Sequence, residues 1–324
     1  MPSTLIIRRR IRSIKSTRQI TKAMELVAAT KMRRAQIQAL KSRAYALLAW
    51  DMVKNLSGRV KPQQHPLLRA PKSVKRAAIL LITSNRGMAG TFNNQVIAQT
   101  LDYTREILEK NPGASVDILV SGKKGADAAV KNHLNVVADF KRVDVNLRAE
   151  DTSAISQLVT EKFSNKEYDL VCVAYTDFVS TLIQKARIKV LLPFSRLDLA
   201  SVSAAEDDLG RVTGRTEKES MNKLGSLEYL FEPTPDSVFE KLLPRLIELQ
   251  VYQAILESNA SEHSARMVAM KSATHKAQDM EKGLTRTYNK VRQASITREV
   301  SEITSGIDRE KKESIERSLK KIRE

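Results

Sequence analysis

Apolar residues recur every three or four positions near the start of the chain, at Ile7, Ile11 and Ile14 and then at Ile20, Met24, Val27, Ala28, Met32 and Ala35. No Gly or Pro falls between Leu5 and Leu56, so the spacing predicts one helix with a narrow apolar stripe that shifts phase near Arg18. From Val74 to Ser195 the pattern changes. AAILLIT (Ala77–Thr83), VDILVSG (Val116–Gly122) and YDLVCVAY (Tyr168–Tyr175) are short continuous apolar runs of the kind buried parallel strands have. Helical stretches at Phe92–Lys110, Ala126–His133 and Thr152–Phe163 separate them, LNVVADF reads as extended, and RIKVLLPFS reads as an edge strand ended by Pro193. This order predicts a mostly parallel sheet with right-handed crossovers.

Residues from Arg196 to Leu227 are polar and aperiodic, which predicts a mobile loop. Beyond it Thr234 or Asp236 can cap a helix with Pro235 near its start. A seven-residue repeat then runs through Leu242, Leu246, Leu249, Leu256, Ala260, Met267, Met270, Ala277, Leu284, Tyr288 and Val291, with Gln253, His263, Thr274 and Glu281 as polar interruptions. A helix from Asp236 to Thr304 would reach ~100 Å at ~1.5 Å per residue. Pro244 is expected to kink it and Gly283 to weaken it. Heptads sustained this far predict a coiled coil, and the N-terminal helix, too basic to fold alone, is the natural mate. The fold class is therefore α/β: an antiparallel coiled coil of the two terminal helices plus a central Rossmann-like sheet domain. The expected divisions are 1–58, 74–195, 196–234, 235–306 and a charged extension at 307–324, which reads as a fraying tail.

Composition sharpens this. With only 11 Gly and 9 Pro in 324 residues, turn formers are scarce and long helices are favoured. The formal charge is +18, and residues 1–59 carry 14 Lys/Arg against Glu25 and Asp51, so that segment holds most of the excess. Such a charge calls for an acidic partner. The single cysteine, Cys172, lies in an apolar run; it excludes a disulfide framework and reads as a small buried hydrophobe. No apolar run reaches the ~18–20 residues of a membrane span. MPSTLIIRRR lacks the apolar core of a secretory signal, so a cytoplasmic protein is expected.

Motifs for chemistry are missing. TSNRGMAGTFNN (Thr83–Asn94) sits where phosphate loops sit, between strand and helix, but has neither GxGxxG nor GxxxxGK[ST]. Tight turns explain Gly87 and Gly90 better, and SGKKGAD (Ser121–Asp127) likewise. His65, His133, His263 and His275 lack metal-ligand spacing, and no nucleophile elbow occurs. Neither cofactor nor independent catalysis is expected. Nucleic acid is disfavoured as a partner because base-stacking aromatics near the basic helix are limited to Tyr45 and Trp50. A nucleic-acid-binding coiled coil and a doubly wound enzyme remain the rival readings.

Three stretches carry a family resemblance. IRSIKSTRQITKAMELVAATKMRRAQ (Ile11–Gln36), SEHSARMVAMKSAT (Ser261–Thr274) and YNKVRQASITREVSEITSG (Tyr288–Gly306) resemble the terminal helices of the gamma subunit of F-type ATP synthases. SNRGMAGTFN resembles that family's central glycine turn, with Asn85 and Ala89 where Asp and Cys are common. The resemblance implies a rotor shaft inside a ring of alpha and beta subunits, its sheet domain on the c-ring beside epsilon, with the chemistry left to beta. It implies beta-subunit contacts at Lys22, Met24, Arg292, Gln293, Thr297 and Glu299, and a turn facing the beta lever at Gly87, Ala89 and Gly90. It implies c-ring contacts at Tyr229 and Glu232, no cofactor and no metal. A peripheral position on the cytoplasmic face of a bacterial plasma membrane follows from the same likeness.

Overall fold

The computed structural model describes residues 4–57, 65–69, 71, 73–144, 147–194, 232 and 234–323. The loop expected at 196–227 and Tyr229 lie outside them. The chain divides into two units, one of residues up to Leu26 and from Met270 on, the other Val27–Ala269. The first helix, α1 (Thr4–Ser57), and the last, α5 (Pro235–Arg323), supply residues to both.

The Val27–Ala269 unit holds a five-stranded sheet in the order β3-β2-β1-β4-β5. Its elements are β1 (Arg76–Ile82), α2 (Phe92–Lys110), β2 (Ser115–Ser121), α3 (Lys123–Lys131), β3 (Asn135–Phe140), α4 (Glu150–Ser164), β4 (Leu170–Phe178) and β5 (Gln184–Leu192). The first four strands run parallel and β5 pairs antiparallel with β4. Central β1 is buried on both faces from Ala77 to Ile82, which is why its run is apolar at every position. Edge strand β5 instead alternates, with Lys185, Arg187 and Lys189 exposed between half-buried Ala186, Ile188 and Val190. Pro193 follows the last residue of β5, where it ends the ladder as expected.

The two faces of the sheet are covered differently. Ala77, Ile79, Leu81, Ile118, Val120 and Cys172 pack with Val96 and Ile107 of α2 and Ala129 of α3. Ala78, Leu80, Ile82, Leu119, Val171 and Val173 pack on the other side with Val159 and Phe163 of α4. Leu243, Leu246, Ile247, Val251, Ile255 and Leu256 of α5 complete that cluster. Thr234 caps α5, its hydroxyl accepting from Ser237 N–H at 3.3 Å. α5 continues through Pro244, where a kink was expected. The proline ring removes a bond to the Glu240 carbonyl, and Glu240 is exposed, so water can occupy that acceptor.

In the other unit the two helices meet along mixed apolar and polar positions. On α1, Ile7 is buried and Ile11, Ile14, Arg18, Thr21 and Met24 are half-buried. On α5, Met270 and Ala277 are buried, and Thr274, Glu281, Leu284, Tyr288 and Val291 are half-buried. Thr274 donates to Thr21 at 2.9 Å and Arg18 Nε lies 3.4 Å from Glu281. The phase shift expected near Arg18 is therefore absent. Arg18 and Thr21 keep the four-three spacing as polar members, and Ile20 is 57% exposed. Two of the polar interruptions of the α5 heptads, Thr274 and Glu281, are their partners. Past Val291 the residues of α5 up to Ile307 are exposed, yet the helix continues to Arg323 where a frayed tail was expected. Glu and Lys/Arg residues four apart, such as Glu313 with Arg317 and Glu316 with Lys320, suit a continued helix.

Candidate functional site

Eleven consecutive residues of α5, Ala254–Ser264, are buried. A helix meeting one partner buries one stripe, so burial on every side means that structure surrounds this segment. Its sequence, AILESNASEHS, fits such a place: Ala and Ser at 254, 258, 260, 261 and 264 let neighbouring backbone come close. Four of its polar side chains reach backbone at or beyond the carboxyl ends of the strands. Ser261 donates to the Thr176 carbonyl of β4 at 3.1 Å and Ser264 to the Thr181 carbonyl at 2.7 Å. Asn259 donates to the Val143 carbonyl at 3.1 Å, just past β3, and His263 Nε2 lies 3.4 Å from the Asp144 carbonyl. In doubly wound sheets this rim is where ligands bind. Here α5 itself occupies it.

Arg142 is the most deeply committed charge in the unit. Its Nη2 donates to Asn259 Oδ1 at 2.7 Å and stands 3.0 Å from Glu262 Oε2, while Nε also donates to Asn259 at 3.2 Å. The Glu262 contact is an off-axis ion pair, and neither Arg142 Nη1 nor Glu262 Oε2 has a hydrogen-bond partner among the described residues. Glu262 Oε1 takes a second cation, Arg266, at 2.8 Å. Burial pushes the Arg142 guanidinium down from its ordinary pKa, opposed by Glu262 and Asp144. Burial also lowers His263, outweighing Glu262, so its imidazole is kept neutral.

The glycine turn stands beside this segment. Arg266 Nη2 donates to the carbonyls of Arg86 and Gly87, both at 3.3 Å. Asn93 Oδ1 accepts from Ser84 N–H at 3.0 Å, so the turn uses its own polar groups internally. Of the residues expected to face a partner, Gly87 and Gly90 are exposed but Ala89 is buried, its methyl turned into the fold ahead of α2. The prominent side chain is Met88, 64% exposed at a φ of 64°. The second glycine motif has a steric reason. A Cβ on Gly122, at a φ of 117°, would lie 2.2 Å from the Thr83 carbonyl oxygen, and one on Gly125 would lie 2.8 Å from Thr83 Oγ1. These glycines let β1 and the start of α3 touch, which accounts for them without a phosphate.

The remaining expected residues are not members of this cluster. Lys22 is exposed and pairs with Glu25 at 3.0 Å, and Met24 is half-buried. Arg292, Gln293, Thr297 and Glu299 are all exposed on α5, as is Glu232 before it. Cys172 is fully buried on β4, 3.6 Å from the Tyr103 hydroxyl, and burial pushes its thiol up to about 12. That is an inert thiol. No cluster of His, Cys, Asp and Glu able to hold a metal occurs among the described residues. The heptad reading missed the Arg142 network because Arg142 follows a strand and looks like a loop charge. The available signal was the dense polar run 257–264 in the middle of an otherwise apolar repeat.

A family model described as ATP synthase matches residues 3–308. The ATP synthase gamma chain of Roseiflexus sp. (strain RS-1) is 41% identical over 307 residues, covering 94% of this chain and 98% of that one. The ATP synthase gamma chain of Anaeromyxobacter sp. (strain Fw109-5) is 39% identical over 311 residues, covering 95% of this chain and 99% of that one. In fold, the chain is similar to one in the rotor of the Euglena gracilis mitochondrial ATP synthase, with a TM-score of 0.56 and 21% identity, covering 90% of this chain and 98% of that one. On the family match and the two bacterial relatives, the chain belongs to the ATP synthase gamma-chain family.

Proposed function

We propose that this chain is the central-stalk rotor subunit of an F-type ATP synthase, coupling ion flow through the membrane sector to the conformational cycling of catalytic beta subunits. It makes no ATP itself in this reading. The observation that carries it is family membership over nearly the whole length, joined to a helix of 89 residues. From Arg292 to Ile307 that helix stands exposed, with Ile296, Val300, Ile303 and Ile307 on one side, as a shaft entering a protein sleeve would. An antiparallel coiled coil of α1 and α5 is the mechanical element, supported by the Arg18–Glu281 and Thr21–Thr274 pairs, in which α1 numbers rise as α5 numbers fall.

In this reading the alpha and beta ring encloses the terminal helices, epsilon lies beside the sheet domain, and the c-ring turns the whole. Beta contacts fall to Lys22, Met24, Arg292, Gln293, Thr297 and Glu299, and the exposed Gly87–Gly90 turn faces the lever. Glu232 and Tyr229 meet the c-ring. The excess of cations on α1 favours an acidic lever, because complementary charge guides register without rigid contacts. No helix among the described residues is long and apolar enough to cross a membrane, which fits attachment through the c-ring at the cytoplasmic face. One charge moved across 100 mV yields only ~2.3 kcal/mol, so several must be pooled for each ATP by a stiff transmission element. Isolation of the tagged chain from native membranes tests the reading. Alpha and beta should co-purify, and vesicles bearing the complex should make ATP when an ion gradient is imposed. A chain that purifies without them, or whose loss leaves gradient-driven synthesis intact, overturns it.

A further inference from the structure

The polar contacts around Arg142 form a closed circuit. The backbone carbonyl of Arg142 accepts from Asn85 Nδ2 at 3.3 Å, and Asn85 opens the glycine turn. The side chain of Arg142 reaches Glu262 at 3.0 Å, Glu262 holds Arg266 at 2.8 Å, and Arg266 returns to the Gly87 carbonyl at 3.3 Å. The turn is thus gripped at two points on its leading side, at Asn85 by the segment after β3 and at Gly87 by α5. Arg142 and Glu262 are buried where water cannot replace either partner. Arg266 is different. It is only partly buried, and among the described residues its bonds go to Glu262, the carbonyls of Arg86 and Gly87, and the nearby His263.

We infer that Arg142 and Glu262 are positioning residues, fixing the exposed Gly87–Gly90 turn to α5 so that the turn and the shaft helix move as one piece. This rests on the rotor reading above. A buried ion pair is a poor stabiliser, since apolar groups of similar size are often as good or better. Its use here is directional: Glu262 is shared, and the second guanidinium it orients aims at the carbonyls of the turn. A rotor passing force between a surface turn and its shaft requires that the turn not yield under load. Among the described residues, Met88 and Gly90 at the exposed tip of the turn make no tertiary hydrogen bond, so stiffness must be supplied from Asn85, Arg86 and Gly87.

Replacing the pair together separates stiffening from stability. In Arg142→Met/Glu262→Met the two fully buried charges go together, and Arg266 keeps the carbonyls of Arg86 and Gly87, so the thermal midpoint should stay near that of the unmodified chain. Arg266 loses its carboxylate, and amide hydrogens at 85–90 should exchange about ten-fold faster in the full chain. In the assembled complex the ions pumped per ATP hydrolysed should fall. Arg266→Gln, at a partly buried position, leaves the Arg142–Glu262 pair intact, removes the grip on the Arg86 and Gly87 carbonyls, should loosen the same amides and serves if the double variant folds poorly. Unchanged exchange at 85–90 in both variants overturns the inference, as does full coupling with a loosened turn. An unmodified complex that performs no gradient-driven synthesis would instead sink the rotor reading, leaving the exchange result to stand alone.

Discussion

Two stretches of one helix live in opposite surroundings. Ala254–Ser264 is buried on every side although seven of its eleven residues are polar, whereas Leu284–Ile307, which carries an apolar stripe, is half-buried at best. Both stretches are mostly polar, so hydrophobicity alone does not tell them apart. In the buried stretch most polar groups have a fixed partner, which offsets much of the penalty of burial. In the outer stretch the stripe has only α1 for cover, and after Val291 no residue up to Ile307 is even half-buried. The difference teaches that the heptad pattern records where a helix mate lies, while small and polar residues record where a sheet domain closes around it.

The comparison is broken most strongly by removing side-chain volume from the enclosed stretch. Leu256→Ala should cost about 3 kcal/mol in denaturant unfolding. Leu284→Ala, half-buried in the outer stretch, should cost about 1 kcal/mol. Equal losses would mean that the two environments do not differ. Glycines give the next contrast. Gly122→Ala forces a Cβ against Thr83 in a left-handed backbone and should cost about 2 kcal/mol. Gly283→Ala meets open space inside α5 and should stabilise by about 0.5–1 kcal/mol.

A pH titration sharpens the picture of the enclosed stretch. His263, facing Glu262, Arg266, Lys31 and the Asp144 carbonyl, has its pKa held below the ordinary 6.5. As pH falls through about that ordinary value the unfolded chain takes up a proton the folded chain refuses. Stability should therefore be complete above this range and decline as pH drops below it. His263→Gln, which can still donate to Asp144, should flatten the decline; an identical slope would assign it elsewhere. The smallest effect belongs to the outer stretch. Ile303→Ser should shift the unfolding of the free chain by under about 0.5 kcal/mol, while weakening recovery of the complex with alpha and beta.

Much of the fold was legible. The continuous apolar runs of β1, β2 and β4 located the parallel core because a strand buried on both faces leaves no room for alternation. The cation-studded alternation of β5 and Pro193 marked an edge. Less legible was anything decided by a neighbour distant in sequence. Ile20 looked like a stripe member, yet Arg18 and Thr21 hold those places, because Glu281 and Thr274 across the interface make polar residues acceptable there. Ala89 looked like part of an exposed turn, and only the packing ahead of α2 turns it inward. Arg142 carried no local signal, since the side chains it bonds, Asn259 and Glu262, are more than a hundred positions away.

The polar pairs between the two helices bear on assembly as well as on stability. Slid by seven residues, α5 would set Arg18 against Tyr288 or Thr274 and leave Glu281 without its cation. The apolar members, being interchangeable Leu, Met, Ala and Ile, would scarcely object to such a slip. Thr21–Thr274 and Arg18–Glu281 therefore act as index marks, giving a long, otherwise repetitive contact one preferred alignment. Ends that are far apart in the chain can then find each other late in folding and still close on the correct turn.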